Sequence, residues 1–355
     1  MANVTCIYNF DILRSNDLEG IKSLIKHWLL EEDESELAKL YQEAKKFRQV
    51  NYDNRVYLRA LVEVSSYCKQ NCHYCGLNCH SHARRYRLDK ETIISSCQLA
   101  YDFGFRTFVL QGGEDEVFQG YVVDVVKEIR KRFPDVAITL SLGELSDEQY
   151  RNLKNAGANR YLLRHETADE EHFSKLHGHK QTFASRYACL KKLKELGYQT
   201  GCGMMVGSPY QSIDNLVKDF LLLKELQPEM VGLGPFISSD KTIFRDFANG
   251  DINLVVKVLA LVRIMLPEVL LPATTALATL DESVRVKALQ VSANVMMPNF
   301  TPLKYQASYS LYDNKKNTGM ESGVQIENLK TYLANNNLLM DLTIGNHKRF
   351  ERKDK

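Results

Sequence analysis

A chain of 355 residues, 44% of them hydrophobic, has enough apolar material for one large barrel-sized domain or two ordinary ones. Its 46 basic and 44 acidic side chains are interspersed and sum to +2, which excludes a nucleic-acid-binding field and an acidic tail. No basic n-region leads into an apolar h-region, no run of about 18 apolar residues occurs, and eight cysteines in so long a chain do not make a disulfide scaffold. The expectation is a cytoplasmic protein with no membrane association.

The first fifty residues are charged and helix-prone. Leu18 to Ile25 leads into Trp28-Leu29-Leu30, and Glu36 to Tyr41 continues at helical spacing. Residues 1–57 therefore read as an N-terminal helical extension, a covering layer without direct chemistry. From about Leu58 a pattern repeats: a short apolar run, a polar or glycine-bearing loop, then an amphipathic helix. The runs are Ala60–Val64, Thr107–Leu110, Ala137–Leu140, Arg160–Leu163, Cys202–Val206, Met230–Gly234, Val269–Pro272 and Ala293–Met297. Helical stretches between them include Lys90–Ala100, Val122–Lys131, Asp147–Asn155, Phe183–Leu196, Ile213–Leu226, Val255–Met265 and Ser283–Leu289.

Strands that alternate with helices of ten to fifteen residues pair in parallel, because each crossover returns the chain to the same end. Eight units over roughly 250 residues predict a complete (β/α)8 barrel, assigned to residues 58–315. An open doubly wound sheet is the second choice; it normally carries a glycine-rich dinucleotide turn, which is absent. Residues 316–355 read as a C-terminal helical segment and tail, with Asn335–Asn337 and the stretch from Lys348 fraying. Polar residues cluster just after each candidate strand, which in a barrel is the active-site face.

The first of these loops holds Cys68, Cys72 and Cys75 at spacings of four and three. Thiolates are soft ligands for zinc, copper or iron–sulfur clusters. A structural zinc site takes four ligands and no second cysteine pair is evident, so a cluster with one open iron is favoured; zinc or unligated cysteines are the alternatives. Tyr74 lies between two of the thiols, where an aromatic ring can shield a cluster or pack near a purine. Cys79, His73, His80 and His82 read as non-ligands. The basic run Arg84–Leu88 reads equally as an anion contact or a solvated loop.

Gly112-Gly113 follows the second run and permits close approach of a ligand to backbone. Thr139 and Ser141 share a side of the third strand at period two. Arg164-His165-Glu166-Thr167 is the densest charged group at any strand end. Glu166 can accept from a ribose or an ammonium group. Arg164 can pair with a carboxylate or with Glu166 itself, and Arg186 offers a second guanidinium fork for a carboxylate. Thr274 and Thr275 follow the seventh run as hydroxyl donors at a helix start.

The CxxxCxxC spacing resembles the signature of radical S-adenosylmethionine (radical SAM) enzymes. Longer strings resemble one family among them, HydE, the maturase of the [FeFe]-hydrogenase active site. They are Arg85–Leu88, Phe108–Asp115, Arg160–Ala168, Met205–Pro209, Gly232–Phe236, Leu271–Ala276 and Asn294–Asn299. Biotin synthase and methylornithine synthase are similar at a greater distance. The resemblance implies a [4Fe-4S] cluster on Cys68, Cys72 and Cys75, with S-adenosylmethionine held near Tyr74, Gly112, Gly113, Arg164, Glu166 and Arg186. It implies reductive cleavage of that cofactor to methionine and a 5′-deoxyadenosyl radical, used in assembling the diiron subcluster. Thr139, Thr274 and Thr275 would lie toward an internal cavity for a small-molecule or organometallic substrate. The implied partners are a one-electron donor such as a ferredoxin or flavodoxin and other hydrogenase maturases, in an anaerobic or low-oxygen setting. Some members carry a second cluster on late cysteines; here no cysteine follows Cys202, so none is expected. A related isomerase or synthase acting on an amino-acid-like substrate, and a non-catalytic iron–sulfur carrier, are the rival readings.

Overall fold

The computed structural model describes residues 8–178, 180–315 and 323–352. Eleven strands are present among them: β1 Arg55–Leu58, β2 Ala60–Ser65, β3 Thr107–Gly112, β4 Ala137–Ser141, β5 Arg160–Leu162, β6 Gln199–Cys202, β7 Met205–Val206, β8 Met230–Val231, β9 Gly234–Pro235, β10 Val295–Met296 and β11 Leu339–Asp341. All pair in parallel, in three sheets ordered β2-β3-β4-β5-β6-β8, β10-β1-β11 and β7-β9. The architecture is a parallel sheet core wrapped by helices.

Period-two alternation separates the two faces of the long sheet. Phe108, Leu110, Ile138, Leu140 and Tyr161 belong to the main hydrophobic core, beneath the helices. Thr139 and Arg160, paired in register across β4 and β5, instead line the inner face together with Gln199 and Arg59. The helices start where side chains satisfy their orphan amides. Asp89 caps Lys90–Asp102, and Ser146 forms a capping box with Gln149 at Asp147–Asn155. Ser212 does the same with Asn215 at Ile213–Leu226.

The N-terminal helices Leu18–Leu30 and Glu34–Tyr52 bury Trp28, Leu40 and Ala44 in the main hydrophobic core. The buried Lys257 satisfies the end of the first helix, donating to Leu29 O at 3.0 Å and Glu31 O at 2.7 Å. Buried Arg48 likewise reaches Ala293 O at 2.9 Å.

Four strands and most helices fall where the sequence places them; the end of the expected helical extension is instead the strand β1, and three further features differ. The fifth and sixth runs are each divided, into β6 and β7 and into β8 and β9, because the backbones cross closely at Gly203. A Cβ there would lie 1.8 Å from Gly232 O. The seventh run makes only isolated bridges, Leu270 to Met230 and Pro272 to Val295. The described part of the C-terminal stretch, residues 323–352, is not frayed. After the helix Gly323–Asn335, β11 pairs with β1, and residues 342–347 pass beneath the sheet. There Arg160 donates to Ile344 O at 2.8 Å, Gly345 O at 3.2 Å and Asn346 Oδ1 at 2.7 Å. Residues 316–322, where the late segment was expected to begin, lie outside the described residues. No helix among the described residues is long and apolar enough to cross a membrane.

Candidate active site

The cysteine loop runs from the end of β2 to the helix at Lys90, and its shape is set by one guanidinium. Arg85 donates to four backbone carbonyls of the loop: Ser66, Leu77 at 3.0 Å, Asn78 at 2.6 Å and Ser81 at 3.1 Å. Arg87 makes a bidentate pair with the buried Asp115, at 2.5 and 2.6 Å, and covers the Tyr67 ring. Arg85 is spent on backbone carbonyls and Arg87 on the Asp115 carboxylate, so both hold backbone and caps in place. The Gly76 amide donates to Leu311 O at 2.7 Å, and a Cβ on Gly76 would meet Ser310 O at 2.4 Å. The segment 309–315 therefore lies directly on the loop.

Cys68, Cys72 and Cys75 are all half-buried free thiols. Burial pushes each thiol up, Cys75 to about 12; the other two thiols add to the rise at Cys72, and Cys68 adds to it at Cys75. Cys72 Sγ donates to Gln181 Oε1 at 3.3 Å. Cys79 is exposed. Among the described residues no group of three or more His, Cys, Asp or Glu side chains closes around a single metal ion.

Gly113 is small because the cysteine loop presses on it. A Cβ there would sit 2.3 Å from Tyr67 O and 2.7 Å from Cys68 Cβ, and its amide donates to Ser65 O at 3.2 Å. Gly112 stands against Val64 and Ser65. Tyr74 is packed with Leu176, Met205, Phe236 and Phe244, its hydroxyl 3.3 Å from His177 Nε2. Burial, with Glu166 nearby, holds that phenol neutral by pushing its pKa up.

Arg164, Glu166 and Arg186 come together at the end of β5. Arg164 Nη2 lies 3.0 Å from Glu166 Oε2 and donates to Met204 O at 2.9 Å. The ion pair is close but not aligned as a hydrogen bond, so Glu166 Oε2 and Arg164 Nε are both buried without a hydrogen-bond partner. Arg186 is already engaged: Nε donates to Glu144 Oε1 at 2.7 Å and Nη1 to Arg164 O at 2.5 Å. Its guanidinium is not a free carboxylate fork.

Glu144 in turn belongs to a chain that the sequence reading missed. Its amide donates to Glu114 Oε1 at 3.0 Å, and Glu114 Oε2 accepts from Gln70 Nε2 of the cysteine loop at 2.6 Å. Burial pushes the Glu114 carboxyl up. The available signal was a carboxylate two or three residues beyond two consecutive strand ends. Glu63 was also missed, because it is the single acid inside an apolar run. It is buried, accepts from Asn299 Nδ2 at 3.0 Å and pairs with Lys315, whose ammonium also bonds Tyr309 O at 3.0 Å.

The three threonines do not share one cavity. Thr139, buried with an unpartnered Oγ1, lines a space of about 10 Å³ beside Arg59, Arg160 and Met230. Arg59 Nε and Nη2 are unpartnered there too. Thr274 caps the helix Thr275–Leu280 without a side-chain bond and faces Gly234, where a Cβ would lie 2.7 Å from its Oγ1. Thr275 begins that helix.

The cysteine loop behind β2, the glycines after β3 and the charged end of β5 are one arrangement, and residues 62–223 match the Radical SAM superfamily. The fold matches methylornithine synthase (PylB) with a TM-score of 0.82 at 24% identity, over 98% of this chain and 99% of that one. It also matches HydG, a maturase of the [FeFe]-hydrogenase, with a TM-score of 0.80 at 19% identity, over 98% and 79%. These likenesses show the shared fold. The [FeFe] hydrogenase maturase subunit HydE of Thermotoga maritima is 44% identical over 299 residues, 84% of this chain and 85% of that protein. A 3-methylornithine synthase of Methanosarcina acetivorans is 30% identical over 303 residues, 84% and 83%. The chain belongs to the HydE family of radical SAM enzymes.

Proposed function

We propose that the protein reductively cleaves S-adenosylmethionine and uses the resulting radical in assembling the diiron subcluster of the [FeFe]-hydrogenase active site. The observation that carries this is the 44% identity to a HydE subunit over nearly the whole chain, joined to a cysteine loop seated against the mouth of the sheet.

The residues fit a [4Fe-4S] cluster. The three thiols are half-buried within the eight residues Cys68–Cys75 of one loop. Cys68 and Cys75 both raise the Cys72 pKa, and Cys68 raises that of Cys75, which supports a common neighbourhood. A cubane binds each thiolate at a different iron, so its ligands need not converge on one point as they do for a single ion. Cys68, Cys72 and Cys75 would hold it. When bound, the cluster supplies the electron that breaks the carbon–sulfur bond of S-adenosylmethionine, giving methionine and the 5′-deoxyadenosyl radical. Burial favours thiols; nearby iron charge reverses that preference, and a coordinating thiol is deprotonated outright.

Glu166 and Arg164 supply an orphaned carboxylate oxygen and an orphaned guanidinium N–H beside the loop, suited to the cofactor's ribose or amino-acid groups. Arg186 positions rather than binds, since Glu144 and Arg164 O occupy it. Tyr74 closes one side. Gly112 and Gly113 let cofactor and loop approach the backbone. Thr139, Thr274 and Thr275 are the hydroxyls that an anionic or organometallic substrate would find, with the buried Thr139 and Thr274 Oγ1 atoms both without a hydrogen-bond partner.

A closed (β/α)8 barrel over residues 58–315 is supported by the bridges Leu61 to Asn299, Met230 to Leu270 and Pro272 to Val295, which link the sheets' edges. Closure serves the chemistry by excluding water and stray hydrogen donors from a radical. Residues 1–57 and 316–355 are read as flanking segments. An external one-electron donor of the ferredoxin or flavodoxin type, other maturases, and a cytoplasmic low-oxygen setting complete the reading.

Anaerobic reconstitution followed by a 5′-deoxyadenosine assay tests the first half. A loaded, reduced protein that yields none ends the proposal. Complementation of a hydrogenase system lacking its HydE tests the second; cofactor cleavage without complementation moves the assignment to an isomerase or synthase on an amino-acid-like substrate.

A further inference from the structure

Behind the candidate cofactor contact lies a buried pair that the chemistry above does not use. His165 and Asp219 are both fully buried, with His165 Nε2 3.3 Å from Asp219 Oδ1. His165 Nδ1 accepts from the Gly203 amide at 3.3 Å. That bond fixes the tautomer: the ring proton sits on Nε2 and faces the carboxylate. Asp219, from the helix Ile213–Leu226, also accepts from the Ala168 amide at 2.6 Å. One carboxylate oxygen thus bonds the amide two residues beyond Glu166 and lies against the ring of the residue just before it, close to His165 Nε2 but not aligned with it as a hydrogen bond.

Glu166 needs such a hold. Its φ is +65°, a left-handed conformation that a non-glycine residue adopts at a cost and keeps only where surroundings enforce it. Its amide donates to Gly203 O at 2.9 Å, and its carbonyl accepts from the Met205 amide at 3.1 Å. Gly203 is therefore gripped twice, by Glu166 and by His165. It also packs so closely on the neighbouring backbone that a Cβ there would lie 1.8 Å from Gly232 O, so only glycine fits. The strain at Glu166 aims its carboxylate beside Arg164, where Oε2 stands without a hydrogen-bond partner.

We infer that His165 and Asp219 are positioning residues: they lock the left-handed backbone of Glu166 and so preorganise the cofactor contact. This rests on the reading of Glu166 as a contact of S-adenosylmethionine. Asp219 works on both sides of one strained residue from a different helix, so its effect on binding passes through Glu166.

The test is a double-mutant cycle on the full, anaerobically reconstituted chain, reading the Kd for S-adenosylmethionine and the iron content. Asp219→Leu removes the acceptor of the Ala168 amide and the carboxylate that faces His165, and is expected to weaken binding about tenfold or more at unchanged iron content. Asp219→Asn keeps an acceptor oxygen and is expected to restore most of the affinity. In a Glu166→Gln background, Asp219→Leu is expected to cost less than about twofold. Equal losses in both backgrounds, or no loss from Asp219→Leu, overturn the inference. If Glu166→Gln alone leaves the Kd unchanged, it is the reading of Glu166 that fails. Should Asp219→Leu not fold, His165→Gln in the same two backgrounds takes its place, with the same outcomes.

Discussion

At the scale of single residues, this protein spends its buried arginines on backbone carbonyls and its glycines on close approaches. Gly113 shows the second use. Adding a methyl group there drives it into Tyr67 O and Cys68 Cβ, so Gly113→Ala is expected to displace the cysteine loop. Overpacking of this kind costs roughly 1–3 kcal/mol. The urea midpoint should fall accordingly, and iron bound on reconstitution should fall with it. His347 offers a pH prediction. Burial lowers its pKa from the usual 6.5 to about 4. A lowered value means the folded state refuses a proton that the unfolded chain accepts. Stability is therefore fully present above 6.5 and is lost as pH falls from there toward 4. The loss from this group between pH 7 and 5 is about 2 kcal/mol. His347 Nδ1 accepts from the Arg349 amide at 3.1 Å, and asparagine can do the same. His347→Asn should leave stability at pH 7 nearly unchanged and flatten the decline toward pH 5 in chemical denaturation.

At the scale of elements, the cysteine loop is held by a side chain rather than by secondary structure. Arg85 supplies donors to carbonyls spread from Ser66 to Ser81, so its removal takes a donor from four acceptors, of which Asn78 O keeps the Ser81 amide at 3.0 Å. Arg85→Met is expected to reduce iron loading several-fold while the sheet and helices keep their circular-dichroism signature. The exposed Arg84→Met serves as control and should load fully. Full loading of both variants would show that the cluster itself folds the loop. The helices Asp147–Asn155 and Ile213–Leu226 were legible to the residue, because capping boxes and 3.6-residue periodicity are local signals. The strands after the fourth were less so. β6 to β9 are two to four residues long and owe their division to backbone crossing at Gly203, which no local pattern announces.

At the scale of the whole molecule, the two ends of the parallel core are closed by different parts of the chain. The segment 309–315 covers the cysteine-bearing end, reaching Gly76 and, through Lys315, Glu63. The stretch 339–347 covers the other end and supplies the acceptors for Arg160, whose charge burial disfavours. A chain ending at Leu338 loses the pairing of β11 with β1 and strips those acceptors away. It is expected to be less stable by roughly 3 kcal/mol or more. The urea midpoint measures this, and a midpoint equal to that of the full chain would refute the role given to the C-terminal stretch.

The sequence by itself determined the parallel α/β class, the boundaries of the capped helices, the cysteine triad and the cluster of charge at Arg164–Glu166, because spacing and period are written along the chain. Only the tertiary structure decided how those charges are used. Glu144 takes the Arg186 fork, Glu114 ties the second strand's loop to the cysteines, and Asp219 clamps Glu166 from a distant helix. Partners 30 to 50 residues apart meet because the sheet brings successive strand ends side by side, and no one-dimensional pattern carries that distance.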